Sequence, residues 1–117
     1  MKVIVFGATG TVGRLTVKNL LAAGHTVTAF ARSPQNLNLS NPKLLLNAGD
    51  AMELSVVTDA VAGHEAVVVT LGAGMSRKSK IRSQGTMNAI KAMQTHGIRR
   101  LIGQSTLGAR DSWPTLN

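Results

Sequence analysis

Three glycines at a spacing of three, Gly7, Gly10 and Gly13, stand in the run Gly7-Ala8-Thr9-Gly10-Thr11-Val12-Gly13. The chemistry such a run can do belongs to the backbone. Glycine permits a tight turn, and missing side chains let main-chain N–H groups come close to a ligand. A helix starting inside the run would present unpaired N–H groups and partial positive charge at its first turn. That combination suits an anion, above all the pyrophosphate of a dinucleotide. The spacing G-x-x-G-x-x-G departs from the commoner G-x-G-x-x-G, so the surrounding elements must decide.

Further along, Arg32-Ser33 occupies the place where an acid would bind the ribose 2′-OH of NAD. Arg32 can offer a planar guanidinium to a 2′-phosphate and Ser33 a hydroxyl, which favours NADP. The alternative is a surface arginine in a turn before Pro34. Asp50 either lines the adenine or N-caps the next helix. The hydroxyls of Ser105 and Thr106 either orient a substrate or cap the end of a strand. His25, His64 and His96 each neighbour a glycine (Gly24, Gly63, Gly97), which favours turn or helix-end roles over catalysis. Their spacing indicates no metal site, and the absence of cysteine excludes disulfides and thiolate chemistry.

The elements that must position these residues follow from periodicity. Lys2 to Phe6 is a short β-branched run, as expected of a parallel strand buried on both faces. Thr11 to about Ala23 reads as a helix with Val12, Leu15, Leu20 and Ala23 on one side, ended by Gly24. His25 to Ala31 is the second strand, which completes the βαβ setting that the glycine run requires. Pro34 to Pro42 reads as a turn-like connection rather than a full helix. Lys43 to Asn47 is a third strand, Met52 to Val61 a helix and Glu65 to Leu71 a fourth strand leading into Gly72-Ala73-Gly74. Met75 to Arg82 reads as a basic loop, and Ser83 to His96 as a helix with Gly85, Asn88, Ala89 and Ala92 forming a small-residue face. Met87 and Met93 read as core packing, and Arg99 to Gln104 as a fifth strand.

These elements predict an α/β fold, a doubly wound parallel sheet ordered 3-2-1-4-5, with the ligand at the switch point between strands one and four. The 117 residues allow one domain, with 44% hydrophobic and 15% charged residues excluding disorder. No run approaches the roughly 20 apolar residues of a membrane span, and a cytoplasmic location is expected. A net charge of +8 invites a nucleic-acid reading, but the basic residues are scattered apart from the Arg77–Arg82 cluster, and three aromatics give little to stack on bases. Attraction of an anionic cofactor is the simpler account. The unpaired edge of the fifth strand would call for cover, from a second copy or another chain.

Gly7-Ala8-Thr9-Gly10-Thr11-Val12-Gly13, Ala31-Arg32-Ser33, Gly49-Asp50, Gly85-Thr86-Met87-Asn88 and Gln104-Ser105-Thr106-Leu107-Gly108 occur here in that order. Together they resemble the atypical short-chain dehydrogenase/reductase superfamily, in particular its NAD(P)H-binding NmrA-like and biliverdin/flavin reductase-like branch. The resemblance covers essentially the whole chain and matches the amino-terminal part of that superfamily. It implies a Rossmann domain binding NADP. Gly7, Thr9, Gly10, Thr11 and Val12 would surround the pyrophosphate and Gly13 would allow close helix packing. Arg32 and Ser33 would take the 2′-phosphate, Asp50 and Ala51 would line the adenine, and Leu71, Gly72 and Ala73 would lead the ribose towards the nicotinamide. Thr106, with Ser105, would match the superfamily's catalytic hydroxyl. The implied activity is hydride transfer from NADPH to a small-molecule flavin, quinone or carbonyl-type acceptor; an NmrA-like, non-catalytic NADP sensor is the alternative. Two departures stand out. The chain has no Tyr and so no Tyr-x-x-x-Lys pair, and the relatives continue into a substrate-binding part that is expected to be missing from residues 1–117.

Overall fold

Short, continuously apolar strands separated by helices explain the architecture. In the computed structural model, which describes residues 1–70 and 76–103, five parallel strands form one sheet ordered β3-β2-β1-β4-β5. They are β1 (Lys2–Phe6), β2 (Thr26–Ala31), β3 (Leu44–Ala48), β4 (Ala66–Val69) and β5 (Arg100–Gly103). The helices are α1 (Thr11–Ala22), α2 (Leu54–Val61) and α3 (Ser76–His96), with a short 3-10 turn at Pro34–Leu37. The order is the one the sequence predicts. Val3 sits opposite Val27 on one side and Ala66 on the other, and Phe6 opposite Phe30 and Val69.

Because successive side chains in a strand point to opposite faces, the continuous apolar runs supply two cores. On one face Ile4, Phe6, Phe30, Val67, Val69 and Leu101 meet Val57, Ala60 and Val61 of α2 and Ala89, Ala92 and Met93 of α3. On the other, Val3, Val5, Val27, Ala29 and Val68 meet Val17 of α1 and Leu37. The edge strand β3 keeps Leu45 and Leu46 about half exposed.

Four local expectations are corrected. The face that α1 buries carries Gly13 and Val17, with Leu20 and Leu21 beside them, while Val12 and Leu15 are exposed. The need to bring Gly13 onto the end of β1 sets the rotation of the helix, and this outweighs counting apolar residues. Residues 76–82, read as loop, belong to α3. Met93 is core but Met87 is exposed, because Asn88 and Ala89 already occupy the inward face. Asp50 does not cap α2: Glu53 is its N-cap, and the Asp50 carboxylate accepts from the Met52 N–H at 2.9 Å, closing a turn ahead of the helix. The small-residue face of α3 is as expected, with Gly85, Asn88, Ala89 and Ala92 all buried. Among the described residues no helix is long and apolar enough to cross a membrane.

Candidate nucleotide-binding site

The glycine run lies at the carboxyl end of β1, beside the switch point where β2 and β4 flank it on opposite sides. Gly7 takes φ of 81°, a left-handed value that favours glycine. Its N–H donates to the Phe30 carbonyl at 3.1 Å, and its own carbonyl accepts from the Gly10 N–H at 3.1 Å. Gly10 then N-caps α1, and the first helical bond runs from Arg14 N–H to the Gly10 carbonyl at 2.9 Å. The amides of Thr11, Val12 and Gly13 have no acceptor among the described residues. Those are the unpaired donors that a helix start offers an anion. Gly7 and Gly10 therefore shape the turn while their own N–H groups are used internally.

Gly13 is where the loop, α1 and β4 come closest. A Cβ there would overlap the Gly7 carbonyl and come within 2.7 Å of Thr70 Oγ1. Thr70, buried just after β4, donates its hydroxyl to the Phe6 carbonyl at 2.8 Å, with the Gly7 carbonyl at 3.2 Å. Thr70 is a contributor the sequence reading missed; a hydroxyl at a strand end beside the switch point was the available signal.

At the end of β2, Arg32 is exposed, and Ser33 starts the 3-10 turn without using its side chain as a cap. The pairing of Gly7 N–H with Phe30 places this corner next to the glycine run. Gly49 crosses beside it: its N–H donates to the Ala31 carbonyl at 3.0 Å, and a Cβ there would press on the Phe30 ring at 2.8 Å. This close approach brings Asp50 and Ala51 to the same edge of the sheet. Ala51 is buried, and its carbonyl accepts from Asn88 Nδ2 at 2.8 Å, while Gln84 Nε2 donates to Asn88 Oδ1 at 3.0 Å. Asn88, expected on the inward face of the helix and within the Gly85–Asn88 motif, thus also holds the backbone at Ala51, a role that neither expectation assigned. Leu71, Gly72, Ala73, Ser105 and Thr106 lie outside the described residues.

Of the histidines, His64 is built into the structure at the opposite end of α2. Its Nδ1 faces the carbonyls of Val61 and Ala62 at 3.2 Å, which can only accept, so Nδ1 carries the hydrogen and Nε2 accepts from the Thr28 hydroxyl at 2.8 Å. Burial pushes the His64 imidazole below its ordinary pKa, and the positive charge of Lys2 adds to the effect. No group of three or more potential metal ligands occurs among the described residues.

Residues 7–117 match the NAD(P)H-binding family. The chain belongs to that family. Its match begins at Gly7, the first residue of the glycine run. The UPF0659 protein YMR090W of Saccharomyces cerevisiae is 33% identical over 97% of the chain, which spans 55% of that protein. A 3-beta-hydroxysteroid dehydrogenase of Mycolicibacterium neoaurum is 34% identical over 86% of the chain, which spans 31% of that enzyme. A Rossmann-fold NAD(P)-binding family protein from Shigella flexneri superposes with a TM-score of 0.70 at 24% identity, covering 86% of this chain and 49% of that one. The chain thus spans from about a third to just over half the length of these relatives. The family match shows an NAD(P)H-binding domain, and the solved structure shares its Rossmann-like parallel sheet.

Proposed function

We propose that this NAD(P)H-binding domain selects NADP(H) and serves hydride transfer to a flavin, quinone or carbonyl-type acceptor. The observation that carries the cofactor choice is the corner after β2, where an exposed Arg32 and an uncapped Ser33 hydroxyl stand beside the glycine run with no acid between them. The cradle suits a pyrophosphate because the amides of Thr11, Val12 and Gly13 remain unpaired among the described residues and Gly10 carries no side chain beside them, while Gly13 lets α1 pack closely enough on the Gly7 carbonyl to present those amides. In this reading those amides bind the pyrophosphate, Thr9 closes the loop over it, and Arg32 and Ser33 take the 2′-phosphate. Asp50 and Ala51 line the adenine, and Leu71, Gly72 and Ala73 flank the ribose. Ser105 and Thr106 orient the acceptor and hydrogen-bond the charge that develops on it. A bound nicotinamide would supply the hydride, and the chain's own residues would hold it in place. The dehydrogenase name of one 34% identical relative supports the redox class.

The test is direct titration with NADPH and NADH, followed by Arg32→Asp. Loss of a charge-assisted contact weakens NADPH by about 10- to 100-fold and leaves NADH nearly unchanged. Equal losses for both cofactors would remove the 2′-phosphate assignment. NADPH oxidation is then followed with flavin, quinone and carbonyl acceptors. Tight NADPH binding without turnover of any acceptor would favour the regulatory sensor instead.

A further inference from the structure

Arg14, one residue past the glycine run, carries a role that the motifs do not assign. Its Nη1 donates to the Leu37 carbonyl at 3.0 Å, and its Nη2 to the Thr9 carbonyl at 3.3 Å and the Asn36 carbonyl at 3.4 Å. Thr9 belongs to the glycine loop, whereas Asn36 and Leu37 end the 3-10 turn that begins directly after Ser33. One planar group therefore spans the two loops that face a dinucleotide's phosphates.

We infer that Arg14 is a positioning residue for cofactor choice: by bridging the glycine loop and the 3-10 turn, it holds Arg32 and Ser33 at a set distance from the pyrophosphate cradle. The inference rests on the NADP reading above. The glycine loop has other ties, through Gly10 N–H and Thr70. The turn depends more on the bridge, because the last carbonyls of so short a helix lack partners of their own. Leu37 anchors the turn by burial, and Arg14 holds its last two carbonyls. With both terminal nitrogens committed to protein carbonyls, Arg14 acts through the backbone it holds. A single ammonium cannot reproduce this fork.

Affinities for NADPH and NADH separate the possibilities, measured on the intact protein in the wild type, in Arg14→Met and Arg14→Lys, and in Arg32→Asp with and without Arg14→Met. We expect the wild type to prefer NADPH, and Arg14→Met to reduce that preference about tenfold with NADH affinity changed by less than about threefold. Arg14→Lys keeps the charge and is expected to lose the preference as well. A lysine variant with full preference would show that charge alone matters, which overturns the bridge. In an Arg32→Asp background, Arg14→Met should lower the preference no further, because the bridge acts through that corner; an additive loss overturns the inference. A wild type without preference removes the NADP reading itself, whereas a wild-type preference untouched by either variant removes only the bridge. Circular dichroism confirms folding, and the ratio of the two affinities is a readout that general destabilisation would not shift.

Discussion

A methyl group at Gly13 would meet main chain that cannot move aside. The Gly7 carbonyl it would strike is already held by Gly10 N–H and by Thr70, so relief requires shifting α1 away from the sheet. Gly13→Ala is expected to destabilise the fold by about 1–3 kcal/mol, towards the upper end for a backbone clash, as read by urea denaturation. Gly10 is the contrasting case. A Cβ there would lie an ordinary 3.5 Å from the nearest atom, and its φ of −74° suits any residue. Gly10→Ala should leave stability within about 0.5 kcal/mol yet weaken nucleotide binding, since the methyl group intrudes on the approach to the free amides. Equal stability losses in the two variants would contradict this division between packing and binding glycines. Gly7 and Gly13 were readable from spacing, and the family resemblance implied Gly13 as the packing glycine; that it is closed in by the Gly7 carbonyl and Thr70 was not readable, because that depends on how closely α1 approaches β4.

At the scale of elements, the connection from α2 to β4 is tied to the sheet through His64 and Thr28. The imidazole is held below its ordinary pKa in the fold, so between about pH 6.5 and the lower folded value the unfolded chain binds the extra proton. Its contribution to stability is therefore complete above about pH 6.5 and lost as pH falls through that window. Denaturation of the wild type and of His64→Gln at several pH values checks this. The wild type should lose more stability than the variant between about pH 7 and 5, and parallel profiles would count against it. The sequence put His64 in a turn role beside Gly63, and it does sit just past the end of α2, but Thr28 lies 36 residues away in the chain and no local signal links the two. The rotation of α1 eluded pattern reading for a similar reason. Val12 and Leu15 satisfy helical periodicity, yet the helix turns its Gly13–Val17 side inward to seat the glycine run.

For the whole molecule, a net charge of +8 on 117 residues favours an anionic cofactor over long distances. A ligand that binds only the folded state stabilises it by about 2.7 kcal/mol at a hundredfold excess over Kd. NADPH should accordingly raise the melting temperature by several degrees and NADH by less at the same concentration. Added salt should shrink the difference, since it screens the 2′-phosphate contact most. A thermal shift identical for both cofactors at every salt concentration would speak against a phosphate-selective corner.

Sequence alone determined the strand order, the parallel sheet and the place of the glycine turn between β1 and α1. Short β-branched runs alternating with helices, and glycines at a strand-to-helix junction, are local patterns whose physical cause is local. Tertiary structure decided the rest: that Thr70 pins the start of the glycine turn, that Asn88 holds Ala51, that Asp50 closes a turn instead of capping α2, and that Arg14 joins two loops. Each of these is a hydrogen bond whose partner is set by chain geometry. Donors and acceptors distant in sequence, or offered by the backbone of any residue, leave no mark in residue type or spacing.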